Sequence, residues 1–347
     1  MKTFKRLFIT SNFNNNKPTN KLFALVTKNN WNDAISRCIK YPQDAQYLIN
    51  DTSKHSASVL HQAAMLNAPI DLIQVILEAY PRAVFIADKR GRTFLHRLLC
   101  KDKECPKRTH FVVSKIIDVI FQNLNEDEIQ QLMNARDTEF GRTVLHDACF
   151  YSADLSVMKA LLNSTNNAEN TATIGGYLMA QDNSGSTPIH LAFRKNLSLE
   201  VLDFLLAQED GKVALLTCDN HGCTPLHKVC SRKRASPEHV RLIIALCADD
   251  DVALIQCSRG MTALHVACKN KASYGVVNLL VNAAPAAVEM GDITGCTPAD
   301  CAFGFNANAD VLDLLSRHKS KASRTSSMGF AVQKKKNIQK IDRRTTM

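Results

Sequence analysis

Aromatic side chains are scarce in this chain of 347 residues: they make up 6%, with a single tryptophan. Leu, Ala, Val and Ile carry most of the 45% hydrophobic content. That balance argues against a thick β-sandwich core and suits thin helical layers. No run of about 18 uninterrupted apolar residues occurs, so the sequence offers no membrane-spanning helix. Residues 1–21 hold only the short apolar fragment Leu7-Phe8-Ile9, too weak for a secretory signal. Also missing are both standard phosphate-binding glycine loops, Gly-x-Ser-x-Gly and His-Glu-x-x-His. Enzyme activity and a cofactor are therefore not expected.

Cysteine is not scarce, but its framework is. The twelve cysteines are scattered through apolar helical pattern, as at Cys149, Cys230 and Cys268, without disulfide spacing. Free thiols in a reducing compartment follow, and with them an intracellular location, cytoplasmic or nuclear. The net charge of +10 is unevenly spread. Residues 317–347 hold ten basic residues and one acid, Asp342. The first twenty residues add Lys2, Lys5, Arg6 and Lys17 and no acid. The middle is close to neutral, so the basic character belongs to the ends.

What the chain does have is a recurring phrase. Ser58-Val-Leu-His61, Thr93-Phe-Leu-His96, Thr143-Val-Leu-His146, Thr187-Pro-Ile-His190, Thr224-Pro-Leu-His227 and Thr262-Ala-Leu-His265 are followed by a degenerate copy, Thr297-Pro-Ala-Asp300. Successive starts lie 35, 50, 44, 37, 38 and 35 residues apart. Gly stands two residues before the Thr in six copies, and Asp a little earlier in five (Asp88, Asp137, Asp182, Asp219, Asp292). Thr caps a helix and Pro is tolerated at its first position, so Thr224-Pro225 opens one cleanly. An Asp-x-x-Gly turn reverses the chain before it. A second apolar period follows each, such as Leu72, Ile73, Ile76 and Leu77, or Val240, Leu242, Ile243 and Leu246. Each unit reads as a turn plus two antiparallel helices, which must stack on neighbours to bury its apolar face.

This pattern resembles the ankyrin repeat, Thr-Pro-Leu-His-x-Ala at a period near 33. The resemblance implies an all-α, ankyrin-type solenoid of stacked helix-turn-helix repeats linked by short β-hairpin turns. The expected organisation is a disordered basic, Asn-rich leader over 1–20, an array over 21–316 and a disordered basic tail over 317–347. The array comprises an N-terminal half-repeat cap and about seven repeats. The stretches Cys100–Arg108 and Asn163–Gly176 read as inserted loops. The resemblance gives His61, His96, His146, His190, His227 and His265 a structural role, bridging to neighbouring backbone. Asp300 then fits a terminal cap.

Three copies read His-x-x-Cys (His146/Cys149, His227/Cys230, His265/Cys268). Such pairs are neighbours on a helix and form a metal half-site in principle. Successive pairs stand about a helix diameter, roughly 10 Å, apart, too far to share one ion. No metal is expected.

In ankyrin proteins the concave face and the turn tips hold a partner. By position the resemblance assigns this role to Lys89, Arg90, Arg92, Phe140, Arg142, Asn183, His221 and Arg259 at the tips. On the first helices it assigns Arg194, Lys195, Arg232 and Lys269. The expected function is a non-enzymatic adaptor or scaffold, a monomeric array binding a protein with an acidic or phosphorylated segment. The alternative is a nucleic-acid- or chromatin-associated protein that uses the basic tail.

Overall fold

A computed structural model describes residues 19–48, 58–100, 109–163 and 172–325. They fall into two compact units, divided between Tyr177 and Leu178. Among the described residues every named element is helical, and the one β-bridge is isolated, between Leu48 and Ser58.

The first unit begins with α1 (Lys21–Thr27) and α2 (Trp31–Lys40), then α3 (Val59–Met65) and α4 (Ile70–Ala79). Next come α5 (Phe94–Leu99), α6 (His110–Phe121) and α7 (Glu126–Asn134), then α8 (Val144–Phe150) and α9 (Leu155–Asn163); α10 (Ala172–Met179) runs across the division. The second unit holds α11 (Pro188–Lys195), α12 (Leu199–Leu206) and α13 (Gly211–Leu216). Three pairs follow: α14 (Pro225–Cys230) with α15 (Pro237–Leu246), α16 (Ala263–Lys269) with α17 (Tyr274–Ala283), and α18 (Pro298–Gly304) with α19 (Ala309–Thr325).

The repeated phrase opens every inner helix from α3 onward. Its Ser or Thr is the N-cap in extended conformation, and Pro occupies the first turn of α11, α14 and α18. The residue two past the cap is buried in six of them (Leu60, Leu95, Leu145, Ile189, Leu226, Leu264) and half-buried in α18 (Ala299). Five inner helices (α3, α8, α11, α16 and α18) reverse into outer ones through a left-handed residue, Asn67, Ser152, Asn196, Lys271 or Asn306. The amide just beyond it reaches back to a helix carbonyl, as in Ala272 to Ala267 (2.9 Å) and Ala307 to Ala302 (2.8 Å), which closes the helix end. The outer-helix pattern reads correctly as well. Leu72, Ile73, Ile76 and Leu77 are all buried, as are Val240 and Ile243, while Leu242 and Leu246 are half-buried.

Several boundaries differ from the sequence reading. Helix α19 continues to Thr325, so residues 317–325 belong to the last helix rather than to a disordered tail; an Asp313–Arg317 ion pair one turn apart (2.5 Å) supports it there. Residues 326–347, with Ser326, Lys334–Lys336 and Arg343-Arg344, lie outside the described residues. So do residues 1–18 of the leader. Thr19 belongs to the folded part, donating from its amide and its hydroxyl to Asp44 Oδ1 (both 2.9 Å). The insertion at Cys100–Arg108 falls between α5 and α6, with residues 101–108 outside the described set. The one at Asn163–Gly176 is helical from Ala172.

The two-helix unit is also incomplete. Where α2, α4, α15 and α17 are followed by a short 3-10 turn, three repeats insert α7, α10 or α13. For α7 the sequence held a signal that was missed: Asn125 caps it, accepting from the Glu128 amide (2.9 Å), while the Glu128 carboxylate accepts from the Asn125 amide (3.1 Å).

Candidate partner-binding surface

Five of the turns before inner helices are fingers held by their own aspartate, and the one before α16 has Cys257 in that place. Asp88 Oδ1 accepts from the amides of Arg90 (2.8 Å) and Arg92 (3.0 Å), and Asp219 Oδ1 from His221 and Cys223 (both 2.9 Å). Asp182 and Asp292 do the same for their fingers. Two backbone bonds close each of these turns: the Asp amide donates to the residue before the cap, as in Asp88 to Arg92 (2.9 Å), Asp219 to Cys223 (3.0 Å) and Asp292 to Cys296 (2.9 Å), and the Gly amide donates back to the Asp carbonyl, as in Gly222 to Asp219 (2.8 Å). Adjacent fingers are joined by one more. The amide of Thr138 donates to Arg90, Asn220 to Ser184, Ser258 to His221 and Ile293 to Arg259, at 2.7 to 3.0 Å. Asp88 also takes an ion pair with the buried Arg97 (2.5 Å), and Asp219 one with Lys228. These pairs hold the finger to its helix, and the sequence reading passed over them.

The six repeat histidines are buried, and five of them have a partner on each ring nitrogen. Nδ1 accepts from the cap hydroxyl at 2.8 to 2.9 Å in all six. In five it also accepts from the cap amide, at 3.1 to 3.3 Å. Nε2 then carries the hydrogen and donates to a finger carbonyl one repeat on. The pairs are His61 to Arg92 (3.0 Å), His96 to Arg142 (3.2 Å), His190 to Cys223 (2.9 Å), His227 to Met261 (3.0 Å) and His265 to Cys296 (3.1 Å). Burial pushes the ring pKa down to about 4 for His61, His96, His190 and His227, and down for His265. A neutral ring of one tautomer is what this bonding pattern needs.

The adjacent thiols are equally enclosed. Burial raises the pKa of Cys149 and Cys230, and that of Cys268 to about 12, the opposite of an activated nucleophile. Among the described residues no three His, Cys, Asp or Glu side chains are disposed to hold a metal ion.

Of the residues proposed for partner contact, Lys89, Arg90, Phe140, Asn183, Arg194, His221 and Arg259 are exposed, and Lys195, Arg232 and Lys269 are half-buried. Arg90 is not a free cation, since it pairs with Glu139 (3.5 Å). Two candidates are corrected. Arg92 and Arg142 are only 9% exposed, because their guanidinium groups turn inward. Arg92 lies 3.5 Å from Asp88, and Arg142 stacks between the rings of Phe140 (4.5 Å) and Phe150 (4.0 Å). Their position at the base of the finger, one residue before the cap, explains this: that residue also supplies the carbonyl that His61 or His96 grips.

The sequence pattern described as ankyrin repeats (3 copies) matches residues 108–214 and 212–292. Those spans cover more than half of the 347 residues. The chain belongs to the ankyrin repeat family. Such repeats are protein–protein interaction modules. Among solved structures it is similar to the ankyrin repeat domain of Bcl-3, titled a unique member of the IkappaB protein family. That likeness covers 74% of this chain and 97% of the other, with a TM-score of 0.52 and 21% identity, and concerns the fold. No curated protein matches the chain. Among the described residues no helix of this ankyrin protein is long and apolar enough to cross a membrane.

Proposed function

We propose that the chain is a non-enzymatic adaptor that holds a protein partner through an acidic or phosphorylated segment. The observation that carries this reading lies in the second unit. Three consecutive inner helices, α11, α14 and α16, end in basic residues or are followed by them: Arg194 and Lys195 in the last turn of α11, Arg232 with Lys233 and Arg234 just past α14, and Lys269 and Lys271 at and just past the end of α16. Among the described residues no carboxylate lies within ion-pair distance of Arg194, Arg232, Lys233, Arg234 or Arg259. Arg232 reaches across one repeat to the Arg194 carbonyl (2.5 Å), so its guanidinium is held at the end of α11. Helices spaced about 8–10 Å apart present the cations as a row, suited to an extended anionic chain that takes charge-assisted hydrogen bonds. Binding energy would come from a few anchors on a surface already formed.

The test is the association of the full chain with labelled serine-phosphorylated and acidic peptides, followed by fluorescence anisotropy at several salt concentrations. Arg194→Glu with Arg232→Glu should slow association and flatten its salt dependence. Unchanged association rates would overturn the reading.

A further inference from the structure

Seven and eight residues past the cap, the inner helices change character along the chain. In the first unit the sequence has Met65-Leu66, Cys100-Lys101 and Phe150-Tyr151 at this place. In the second unit it has Arg194-Lys195, Ser231-Arg232 and Lys269-Asn270, and the last repeat has Gly304-Phe305. A cation on each of three successive repeats therefore occurs only in the second unit. There α14 packs on α11, α16 on α14 and α18 on α16, so the three points form one line. Arg194 is exposed, and Arg232 and Lys269 are half-buried. Arg232 gives one of its five N–H donors to the Arg194 carbonyl (2.5 Å), and Lys269 Nζ stands 5.6 Å from the Phe305 ring centre. A second cation follows each: Lys195, Lys233 and Lys271. The carboxylates on the fingers and inner helices of these repeats are engaged elsewhere. Asp182 accepts from the amides of Ser184 and Ser186, Asp292 from those of Thr294 and Cys296, and Asp300 from the amide and hydroxyl of Thr297. Asp219 pairs with Lys228.

Building on the reading of these cations as the holder of an anionic partner segment, we propose that the segment is a polyproline II stretch phosphorylated at every third residue. Packed neighbouring helices lie about 8–10 Å apart. Polyproline II turns once in three residues and rises about 3.1 Å in each, so every third side chain returns to one face about 9.3 Å further on. A β-strand advances as far in three residues but turns the third side chain to its other face. Of the two extended forms, only the first sets one group on each repeat from successive turns. The charge favours phosphate over carboxylate. Each point of the row carries two cations, and a phosphoserine brings about −1.5 to −2 with three acceptor oxygens, which balances the pair. A carboxylate would leave one cation unmatched. Three phosphates fill the row. A fourth at the same spacing falls at Gly304-Phe305, where no cation stands.

Fluorescence anisotropy of the full chain tests this with labelled peptides of equal length and composition. Each carries three phosphoserines among prolines and alanines, spaced two, three or four residues apart. The three-residue spacing should bind at least about tenfold tighter than the other two, although all carry the same charge. A fourth phosphate at that spacing should add little. Lys269→Glu should weaken binding about as much as removing one of the two end phosphates, and removing that same phosphate should then cost the variant little more, the mark of a direct pair. Three spacings that bind alike overturn the proposed register and leave the acidic-segment reading standing. A helical peptide phosphorylated at every seventh residue that binds tighter does the same. Failure of every phosphopeptide to bind removes the register and that reading together.

Discussion

The ring of His227 lies between two repeats, its Nδ1 2.9 Å from the Thr224 hydroxyl and its Nε2 3.0 Å from the carbonyl oxygen of Met261. One side chain thus closes its own helix start and grips the next finger. Replacing it with alanine orphans a buried carbonyl and a cap amide and leaves a cavity, which together cost about 3 kcal/mol. His227→Ala should therefore lower the urea midpoint of the full chain markedly. Asp300→Ala removes only the local half of the same device on an exposed helix, so its cost should stay near 1 kcal/mol, about that of one helix cap. Equal losses in the two variants would show that the bridge to the next repeat contributes nothing.

The same rings set a pH dependence. Burial holds four of them at a pKa of about 4, below the value of about 6.5 in an unfolded chain. Between those limits the unfolded state binds more protons than the folded one, so stability rises with pH across the window. It is fully present above about pH 6.5 and lost as pH falls towards 4, at about 1.4 kcal/mol per histidine per unit. Thermal midpoints should climb from pH 4 to about pH 6.5, where the histidine contribution is complete. A flat profile below pH 6 would contradict neutral rings in the folded array.

The glycines separate backbone strain from crowding. Gly222 has φ +70° and Gly295 has φ +81°, a region where any L-residue is strained by about 1–2 kcal/mol. At Gly222 a methyl would also come 2.9 Å from the Ser258 amide nitrogen, the group that ties that finger to His221. At Gly295 it would meet open space. Gly222→Ala should therefore destabilise by more than Gly295→Ala, and urea midpoints of the two variants compare them directly.

The ladder was legible because its cause is local. Ser or Thr at the cap, Pro after it, and Gly two residues before each act through their own backbone, and one sequence displays the cap seven times, the Gly six times and the Pro three times. The bridge from histidine to the next carbonyl came from the family resemblance, since spacing alone does not say which atom a ring will reach. Exposure was harder to read. Arg92 and Arg142 look like surface cations in sequence, yet a neighbouring aspartate in one case and two phenylalanine rings in the other draw them inward.

Asp147 follows His146 where Arg97 and Lys228 follow His96 and His227. Those cations close ion pairs with Asp88 and Asp219. Asp147 is a carboxyl in the same buried place, with Arg142 no nearer than 4.0 Å. Burial raises its pKa to about 8, against the pull of Arg142 and with help from Asp137. The unfolded carboxyl titrates near 4, so here the folded state holds the extra proton. Stability contributed by this group is present below about pH 4 and lost as pH rises towards 8, opposite in sign to the histidines. Asn keeps the shape and carries no charge to desolvate. Asp147→Asn should stabilise the chain at pH 7.5 by about 1 kcal/mol or more and leave it unchanged at pH 4. Calorimetric midpoints at the two pH values decide it: a variant less stable at pH 7.5 would mean that the carboxylate is ionised and well paired with Arg142.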